Sequence, residues 1–450
     1  MMTKNNIDTG LGIYVHIPFC ISKCIYCGFY SRAGAPDAEE ENTYVNLLVQ
    51  EIENAARPDR EVDSIFFGGG TPSILKAESL IEILSTIRRC FDVSAGCEIT
   101  LEANPGTLNK GYLSKLYEVG FNRLSMGCQS FSDDVLKTLG RIHRSKDVYE
   151  SFSAARVAGF DNINLDLMFS VPGADEELWQ ETLDKMMELS PEHVSFYSLQ
   201  IEEDTPLYNM YKNGIFAEVS DELDRNMYHR AIECLKSSGY EHYEISNAAK
   251  PGFECRHNLK YWSLSDYLGF GKSASSFIDG VRFTNATDDG YGKSVLMESA
   301  FLKSRGVLSM PELGNLEFAK YKYSEFHVNN FMDTASEFVF LGLRRTAGIS
   351  FDDFEQRFGK SFEDVYADRR VEIEPFIERS NHRFTECFQL FTEARNGGLV
   401  RGFLFDRGFL LRGVHACSFR FGWRSAGGTP LPDCRALSRV VPVQPSPTAA

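Results

Sequence analysis

Between residues 12 and 200, short apolar segments alternate with longer amphipathic ones. Several of the short segments are nearly continuous apolar or β-branched runs, as expected for parallel strands buried on both faces. The six strand predictions are Gly12–Ile17, Ser64–Phe67, Glu98–Glu102, Arg123–Met126, Asn162–Met168 and His193–Leu199. Helical periodicity separates them over Asn42–Asn54, Ala77–Cys90, Leu113–Glu118, Lys146–Ala158 and Glu176–Leu189. Six β–α repeats predict an α/β fold whose parallel sheet curves into a partial or open barrel.

The pattern weakens after residue 200 and predicts smaller units. We expect five segments: 1–11 (a tail), 12–200 (the β–α core), 201–330 (an α+β extension), 331–380 (a small helical, winged-helix-like appendage) and 381–450 (an atypical tail). The extension contains a strand prediction, Tyr240–Asn247, and the Gly-rich run Tyr267–Gly271. The appendage shows helical patterns over Glu337–Leu343 and Phe351–Phe358.

The last segment differs from the rest of the chain in its charge. Residues 381–450 hold nine arginines and four acidic residues, and no lysine follows Lys360. Its end is rich in Pro, Gly, Ser and Arg without periodicity, which predicts disorder. A functional basic tail is the alternative, and the abrupt change would also fit a shifted reading frame.

Net charge and the distribution of apolar residues exclude several classes of function. The net charge of −16 disfavours general binding to nucleic acids or anionic membranes. The N-terminus lacks an apolar signal-peptide core, and no run of about 18 apolar residues predicts an integral membrane span. We therefore expect a cytoplasmic protein, in which eleven cysteines do not form a disulfide framework.

Three of those cysteines lie close together after the first predicted strand. Cys20, Cys24 and Cys27 have the spacing C-x3-C-x2-C. Thiolates are the usual ligands of iron–sulfur clusters, and three of them leave one iron of a [4Fe–4S] cube open for a small molecule. Zinc and redox sites remain alternatives, although structural zinc usually takes four protein ligands and a redox pair needs no third cysteine.

Other polar and glycine residues follow the later strands, at the edge where sites form in such folds. Three glycines precede Thr71 and would let a ligand approach backbone N–H groups. The remaining polar residues at this edge are Glu102, Gln129, Arg141 and Asp166. For each of these residues, a surface position or a salt bridge is the alternative to a functional role. That alternative is weakest for Asp166, which lies within an apolar strand, because a buried unpaired carboxylate is costly.

These runs, in this order, resemble the radical S-adenosylmethionine (SAM) superfamily, in the branch of oxygen-independent coproporphyrinogen dehydrogenase (HemN) and the HemW-like proteins. The resemblance covers about residues 12–366 and implies a partial or open (β/α)6 TIM-like barrel. It implies a [4Fe–4S] cluster on the three cysteines, with SAM on the open iron and cleaved to a radical when the cluster is reduced. The implied contacts to the cofactor are Tyr14, Tyr26, Gly69, Gly70, Thr71, Glu102, Gln129, Arg141 and Asp166.

Two features separate the members of this branch. The decarboxylating enzymes carry a further cysteine two residues after the third, where this chain has Phe29. The run His257–Trp262 matches the H-N-x-x-Y-W motif of HemW-like proteins, and histidine is a natural axial ligand of heme iron. The resemblance thus implies a heme chaperone with heme contact at His257, for which a structural histidine is the alternative. Lys272 and Ser275 depart from the usual HemW-like sequence, which has a small residue and a histidine there.

The implied partner is an acceptor protein that receives heme. The alternative function is radical-driven decarboxylation of coproporphyrinogen III to protoporphyrinogen IX, which would need an electron donor such as flavodoxin or ferredoxin. A redox- or iron-sensing module without catalysis is a third interpretation, and a homodimer stays open.

Overall fold

The computed structural model describes residues 10–305, 310–317 and 319–367, with short strands at 377–378 and 383–384. Its strands are β1 (Leu11–Ile17), β2 (Phe19–Cys20), β3 (Arg32–Ala33), β4 (Arg57–Gly69), β5 (Phe91–Ala103), β6 (Arg123–Gln129), β7 (Ile163–Phe169), β8 (His193–Ser198), β9 (Glu241–Glu244), β10 (Asn247–Ala249), β11 (Tyr267–Phe270), β12 (Ser275–Ile278), β13 (Val281–Asn285), β14 (Tyr323–Val328), β15 (Ile349–Ser350), β16 (Ile377–Glu378) and β17 (Arg383–Phe384).

The helices connect these strands. They are α1 (Ala38–Asn54), α2 (Ala77–Cys90), α3 (Lys110–Glu118), α4 (Asp133–Thr138), α5 (Ser145–Ala158), α6 (Glu176–Leu189), α7 (Pro206–Lys212), α8 (Asp221–Ser237), α9 (Arg256–Trp262), α10 (Gly290–Arg305), α11 (Met310–Gly314), α12 (Ala319–Lys322), α13 (Phe331–Gly342), α14 (Phe351–Phe358) and α15 (Phe362–Val365). A 3-10 turn spans Pro72–Ile74.

Six parallel strands form the centre of one large sheet, in the order β1-β4-β5-β6-β7-β8. All six correspond to sequence-predicted strands, so the prediction of an open barrel of β–α units is confirmed. β4 and β5 are longer than predicted. β4 begins with a largely exposed, polar stretch, and β5 begins with a mixed stretch, residues 91–96, that has no continuous apolar run.

Further strands extend this sheet at both ends. On one side β11 pairs parallel to β1, and β12, β13 and β14 follow in antiparallel order. On the other side β10 pairs antiparallel to β8, and β9 pairs with β10. Strands from the 201–330 segment therefore continue the core sheet, and the division into separate segments stays a prediction.

Amphipathic helices cover the outer face of the barrel strands. In α2 the buried apolar residues Leu80, Ile83, Leu84 and Ile87 follow the three-to-four spacing that places them on one helix face. Each such side chain contributes roughly 1.5–3 kcal/mol when it leaves water. This packing fixes the strand ends from which the site residues project.

A second apolar cluster joins the barrel to the C-terminal helices. α13, α14 and α15 pack against the end of α9, with Tyr261, Trp262 and Phe354 among the buried contacts. The Arg357 guanidinium donates to the Ser263 carbonyl at 3.1 Å. The two helical patterns of the predicted appendage correspond to α13 and α14. Apart from the strands at 377–378 and 383–384, the predicted 381–450 tail lies outside the described residues.

Candidate functional site

The three cysteines lie on one loop after β1. Cys20 ends β2, which pairs with β3, and the Cys27 N–H donates to the Cys24 carbonyl at 3.2 Å. At the base of this loop the Thr71 N–H donates to the Phe19 carbonyl at 2.7 Å. All three cysteines are partly exposed free thiols. The loop is therefore tied to the carboxyl end of the parallel sheet, as the sequence predicts.

Two donors outside the loop contact the cysteine sulfurs. The Thr71 hydroxyl lies 3.5 Å from Cys20 Sγ, and Arg141 Nη1 lies 3.5 Å from Cys24 Sγ. Donors of this kind stabilise thiolates, the form that binds metal. Within the described parts of the chain, no three His, Cys, Asp or Glu side chains are placed to hold a single metal ion. In a [4Fe–4S] cube three such thiolates would each bind a different iron, and this donor set suits that group.

The glycine run after β4 is pressed against this loop. Gly69 has a φ of 107°, and its N–H donates to Glu102 Oε2 at 3.1 Å. The Gly70 N–H donates to the Ile17 carbonyl at 2.8 Å. A Cβ at Gly70 would lie 2.5 Å from the Phe19 carbonyl oxygen. Close backbone packing therefore requires glycine at position 70, and both N–H groups already have partners within the protein.

Two partly buried carboxyl groups, those of Glu102 and Asp166, lie on β5 and β7 near the rim, the edge formed by the carboxyl ends of the parallel strands. Burial and the nearby charge of Asp166 raise the pKa of Glu102 to about 8. Burial also raises the pKa of Asp166, and the hydrogen bond from Asn164, 2.7 Å long, partly offsets this. Because neighbouring carboxylates disfavour each other's charge, the pair favours retention of a proton on Glu102 near neutral pH.

Gln129, at the end of β6, and Arg141, in the connection between α4 and α5, complete the predicted set. Gln129 has a φ of 65° at the end of β6, and its side chain accepts a hydrogen bond from the Tyr197 hydroxyl at 2.9 Å. Arg141 donates to Asn104 Oδ1 at 2.7 Å and to the Gly127 carbonyl. Tyr26 packs beside the small apolar cluster that includes Val135 and Leu199.

Two contacts were not predicted from the sequence. Asn104 joins Arg141 to Thr71, whose hydroxyl accepts from Asn104 Nδ2 at 2.8 Å. His16 lies between Tyr14 and the segment that follows Cys27. Its Nδ1 is 3.1 Å from the Tyr14 hydroxyl, and its Nε2 is 2.9 Å from the Tyr30 carbonyl. His16 falls within the first predicted strand, and Asn104 lies two residues after Glu102. Their position in the chain beside predicted site residues was the available signal.

The structure does not bring His257 to this rim. The side chain is fully buried in α9, Nδ1 lies 3.0 Å from Ser64 Oγ, and Nε2 lies 2.8 Å from the Tyr261 hydroxyl. Its ring also stacks on Phe66, and burial lowers its pKa to about 3. Heme contact at His257 stays a prediction, and it requires that these hydrogen bonds break.

The two departures from the HemW-like sequence lie near each other along the chain but differ in setting. Lys272 is half-buried after β11, and its N–H donates to the Tyr44 hydroxyl at 3.2 Å. Ser275 is fully buried in β12, where its hydroxyl lies 3.0 Å from Thr284 Oγ1. Ser275 therefore bonds within the sheet.

Comparison with known proteins agrees with this geometry. The model of the Radical SAM superfamily matches residues 14–186, and the model of the HemN C-terminal domain matches residues 332–381. A protein of Bacillus subtilis (strain 168) named heme chaperone HemW is 36% identical over 356 residues, which cover 78% of this chain and 88% of that protein. The chain belongs to the HemW family of the radical SAM superfamily. Its cofactors are accordingly a [4Fe–4S] cluster and SAM.

Other relatives support the HemW family assignment. The heme chaperone HemW of Lactococcus lactis is 34% identical over 363 residues, covering 80% of this chain and 88% of that protein. Among solved structures, coproporphyrinogen III oxidase (HemN) from Escherichia coli matches with a TM-score of 0.71 at 22% identity. That match covers 88% of this chain and 90% of the other, and it confirms the fold.

Proposed function

We propose that this HemW-family chain is a heme chaperone, which binds heme together with the cluster and SAM and transfers heme to an acceptor protein. The observation that carries the proposal is the similarity to a protein named heme chaperone HemW, which covers 78% of this chain and 88% of that protein. Phe29 also supports the proposal, because this residue cannot ligate metal and stands where the decarboxylating enzymes have a further cysteine.

In this proposal Cys20, Cys24 and Cys27 hold the cluster. Their partial exposure leaves the sulfurs accessible, and the donors from Thr71 and Arg141 face two of them. When bound, the reduced cluster supplies an electron to the sulfonium of SAM. The protein's part is to bind, orient and shield these groups.

The remaining rim residues are proposed to hold SAM. The residues proposed to contact SAM are Tyr14, Tyr26, Gly69, Gly70, Thr71, Glu102, Gln129, Arg141 and Asp166. The N–H groups of Gly69 and Gly70 are already bonded within the protein, so these glycines contribute close backbone approach. Arg141 suits a carboxylate because its guanidinium presents several donors in a fixed plane. A protonated Glu102 donates one hydrogen bond and accepts others, which suits the hydroxyl groups of a ribose.

The heme acceptor, a cytoplasmic location and a homodimer extend this proposal. Within the described segments, no helix is both long and apolar enough to cross a membrane. Heme transfer requires that the chain release its cargo, so heme contact should be reversible.

The proposal is tested with anaerobically reconstituted protein. Incubation with heme should give a Soret band that stays with the protein through gel filtration, and subsequent incubation with an acceptor apoprotein should deplete it. The same preparation, given coproporphyrinogen III, reductant and SAM, should form no protoporphyrinogen IX. Catalytic turnover to that product would support the decarboxylase function instead. Failure to retain heme would contradict the chaperone function.

A further inference from the structure

Asn104 occupies a bridging position behind the cysteine loop. It follows β5, and its side chain uses both ends of the amide: Oδ1 accepts from Arg141 Nη2 at 2.7 Å, and Nδ2 donates to Thr71 Oγ1 at 2.8 Å. Its backbone carbonyl is also fixed, because it accepts from the Thr107 N–H at 3.2 Å and from the Thr107 hydroxyl at 2.7 Å. The amide is thus held in one orientation.

This orientation determines where Thr71 directs its proton. The oxygen of Thr71 accepts from Asn104, so the hydroxyl hydrogen is free to point elsewhere, and Cys20 Sγ lies 3.5 Å away. A hydroxyl that accepts one hydrogen bond becomes a better donor in the next, because the bonds in a chain polarise one another.

The same amide fixes the guanidinium of Arg141. Nη2 is occupied by Asn104 Oδ1 and by the Gly127 carbonyl, while Nη1 faces Cys24 Sγ at 3.5 Å. The arginine plane is rigid, so a fixed Nη2 also fixes the direction of Nη1. One side chain therefore aims a donor at each of two cysteine sulfurs without touching either.

We propose that Asn104 is a positioning residue that sets the reduction potential of the cluster through Thr71 and Arg141. Reduction adds negative charge to the cluster, and hydrogen bonds to the ligating sulfurs stabilise that charge and raise the potential. This inference rests on the proposed binding of the cluster by Cys20, Cys24 and Cys27.

The test is an EPR-monitored redox titration of reconstituted full-length protein without SAM. Asn104→Leu and Thr71→Val should each shift the midpoint potential to more negative values. The double variant should shift the midpoint potential by less than the sum of the two single shifts, because both substitutions break the same chain of hydrogen bonds. Thr71→Ser keeps the hydroxyl and should restore most of the wild-type potential. Thr138→Val is the matched control, since it makes the same chemical change at an exposed threonine whose hydroxyl donates to the Asp134 carbonyl within α4 at 3.0 Å.

A further variant keeps the test decisive if Asn104→Leu fails to hold iron. In Asn104→Asp the carboxylate retains the bond from Arg141 but cannot donate to Thr71, and it instead attracts the Thr71 proton away from Cys20. The negative shift in midpoint potential that Asn104→Asp causes should be smaller when Thr71→Val is also present than in the otherwise wild-type protein. Equal shifts in both backgrounds, or an unchanged potential at wild-type iron content, would overturn the inference. Wild-type protein that binds no cluster would instead contradict the proposed function.

Discussion

His257 Nε2 and the Tyr261 hydroxyl lie 2.8 Å apart inside α9, one helical turn from each other. On the opposite side of the ring Ser64 contacts Nδ1, and the His257 N–H donates to Glu98 at 3.1 Å. The histidine thus links α9 to β4 and β5. This arrangement gives the H-N-x-x-Y-W motif a structural role at the inner wall of the barrel.

Replacement of His257 should therefore destabilise the fold. We expect His257→Ala to lower the free energy of unfolding by about 2–4 kcal/mol, because it leaves a cavity and removes the partners of buried hydroxyl groups. Chemical denaturation of the cofactor-free protein measures this. Ser64→Ala is the matched variant, since it removes one of the same bonds and leaves the imidazole in place. A change of the heme spectrum in His257→Ala that Ser64→Ala does not share would show that heme iron reaches this side chain.

Loss of a cluster cysteine should remove iron without unfolding the barrel. Cys20→Ala, Cys24→Ala and Cys27→Ala remove partly exposed side chains from a loop, so their free energy of unfolding without the cluster should stay near that of wild type. Iron content and visible absorption after anaerobic reconstitution should fall strongly in each. Cys90→Ala, at the end of α2, should keep both. Full iron content in all three variants would contradict the assignment of the ligands.

Gly70→Ala should disrupt the base of the cysteine loop. The added Cβ would meet the carbonyl oxygens of Phe19 and Ile17 at 2.5 Å and 2.8 Å, and neither backbone atom can move away cheaply. We expect weaker cluster retention and a loss of about 1–3 kcal/mol of stability, as in other overpacked sites. Gly96→Ala is the control, because nothing lies within 4 Å of its added Cβ. Equal iron content and melting temperature in the two variants would refute the argument.

Glu102 should make stability depend on pH in the cofactor-free protein. Its pKa rises from 4.5 to about 8 on folding, so the native state keeps a proton that the unfolded chain releases in this range. Its contribution to stability is therefore complete below pH 4.5 and is lost as the pH rises through 8.

Glu102→Gln should flatten this dependence, because a neutral amide has no proton to lose. One pKa unit corresponds to about 1.4 kcal/mol, so we expect the variant to gain on the order of 4 kcal/mol relative to wild type between pH 5 and about 8. Denaturation curves across this range measure the difference. The exposed Glu118 provides the control in Glu118→Gln, and parallel profiles for wild type and Glu102→Gln would contradict the buried-proton argument.

The barrel core could be predicted from sequence because its signals are local. A buried parallel strand is an apolar run, and an amphipathic helix follows it, so each of the six units appears in the pattern. The pairing of β11 with β1 could not be predicted in this way. Tyr267 and Gly12 are neighbours in the sheet but far apart in sequence, and no periodicity records that contact.

Prediction of the candidate site meets the same limit, because sequence patterns do not record contacts between side chains that are distant in sequence. The rule that strand ends share one edge was enough to place Glu102, Gln129 and Asp166 together. It could not show that Asn104 would connect Arg141 with Thr71, because that depends on rotamers and on distances near 3 Å. His257 illustrates the converse, since a histidine in a motif suggests a ligand until its buried partners are known.

The unclosed order of the large sheet has a mechanical consequence. Both outer edges of the parallel core are already occupied, by β11 beside β1 and by β10 beside β8. No backbone hydrogen bond in the described sheet joins its first and last strands, so none must break when the two ends of the wall separate. The two ends can thus separate without breaking a strand-to-strand ladder, at the cost of side-chain contacts and of the backbone bonds that join Ile245 to Arg344 and Thr346 to Tyr243, a freedom that a closed barrel lacks.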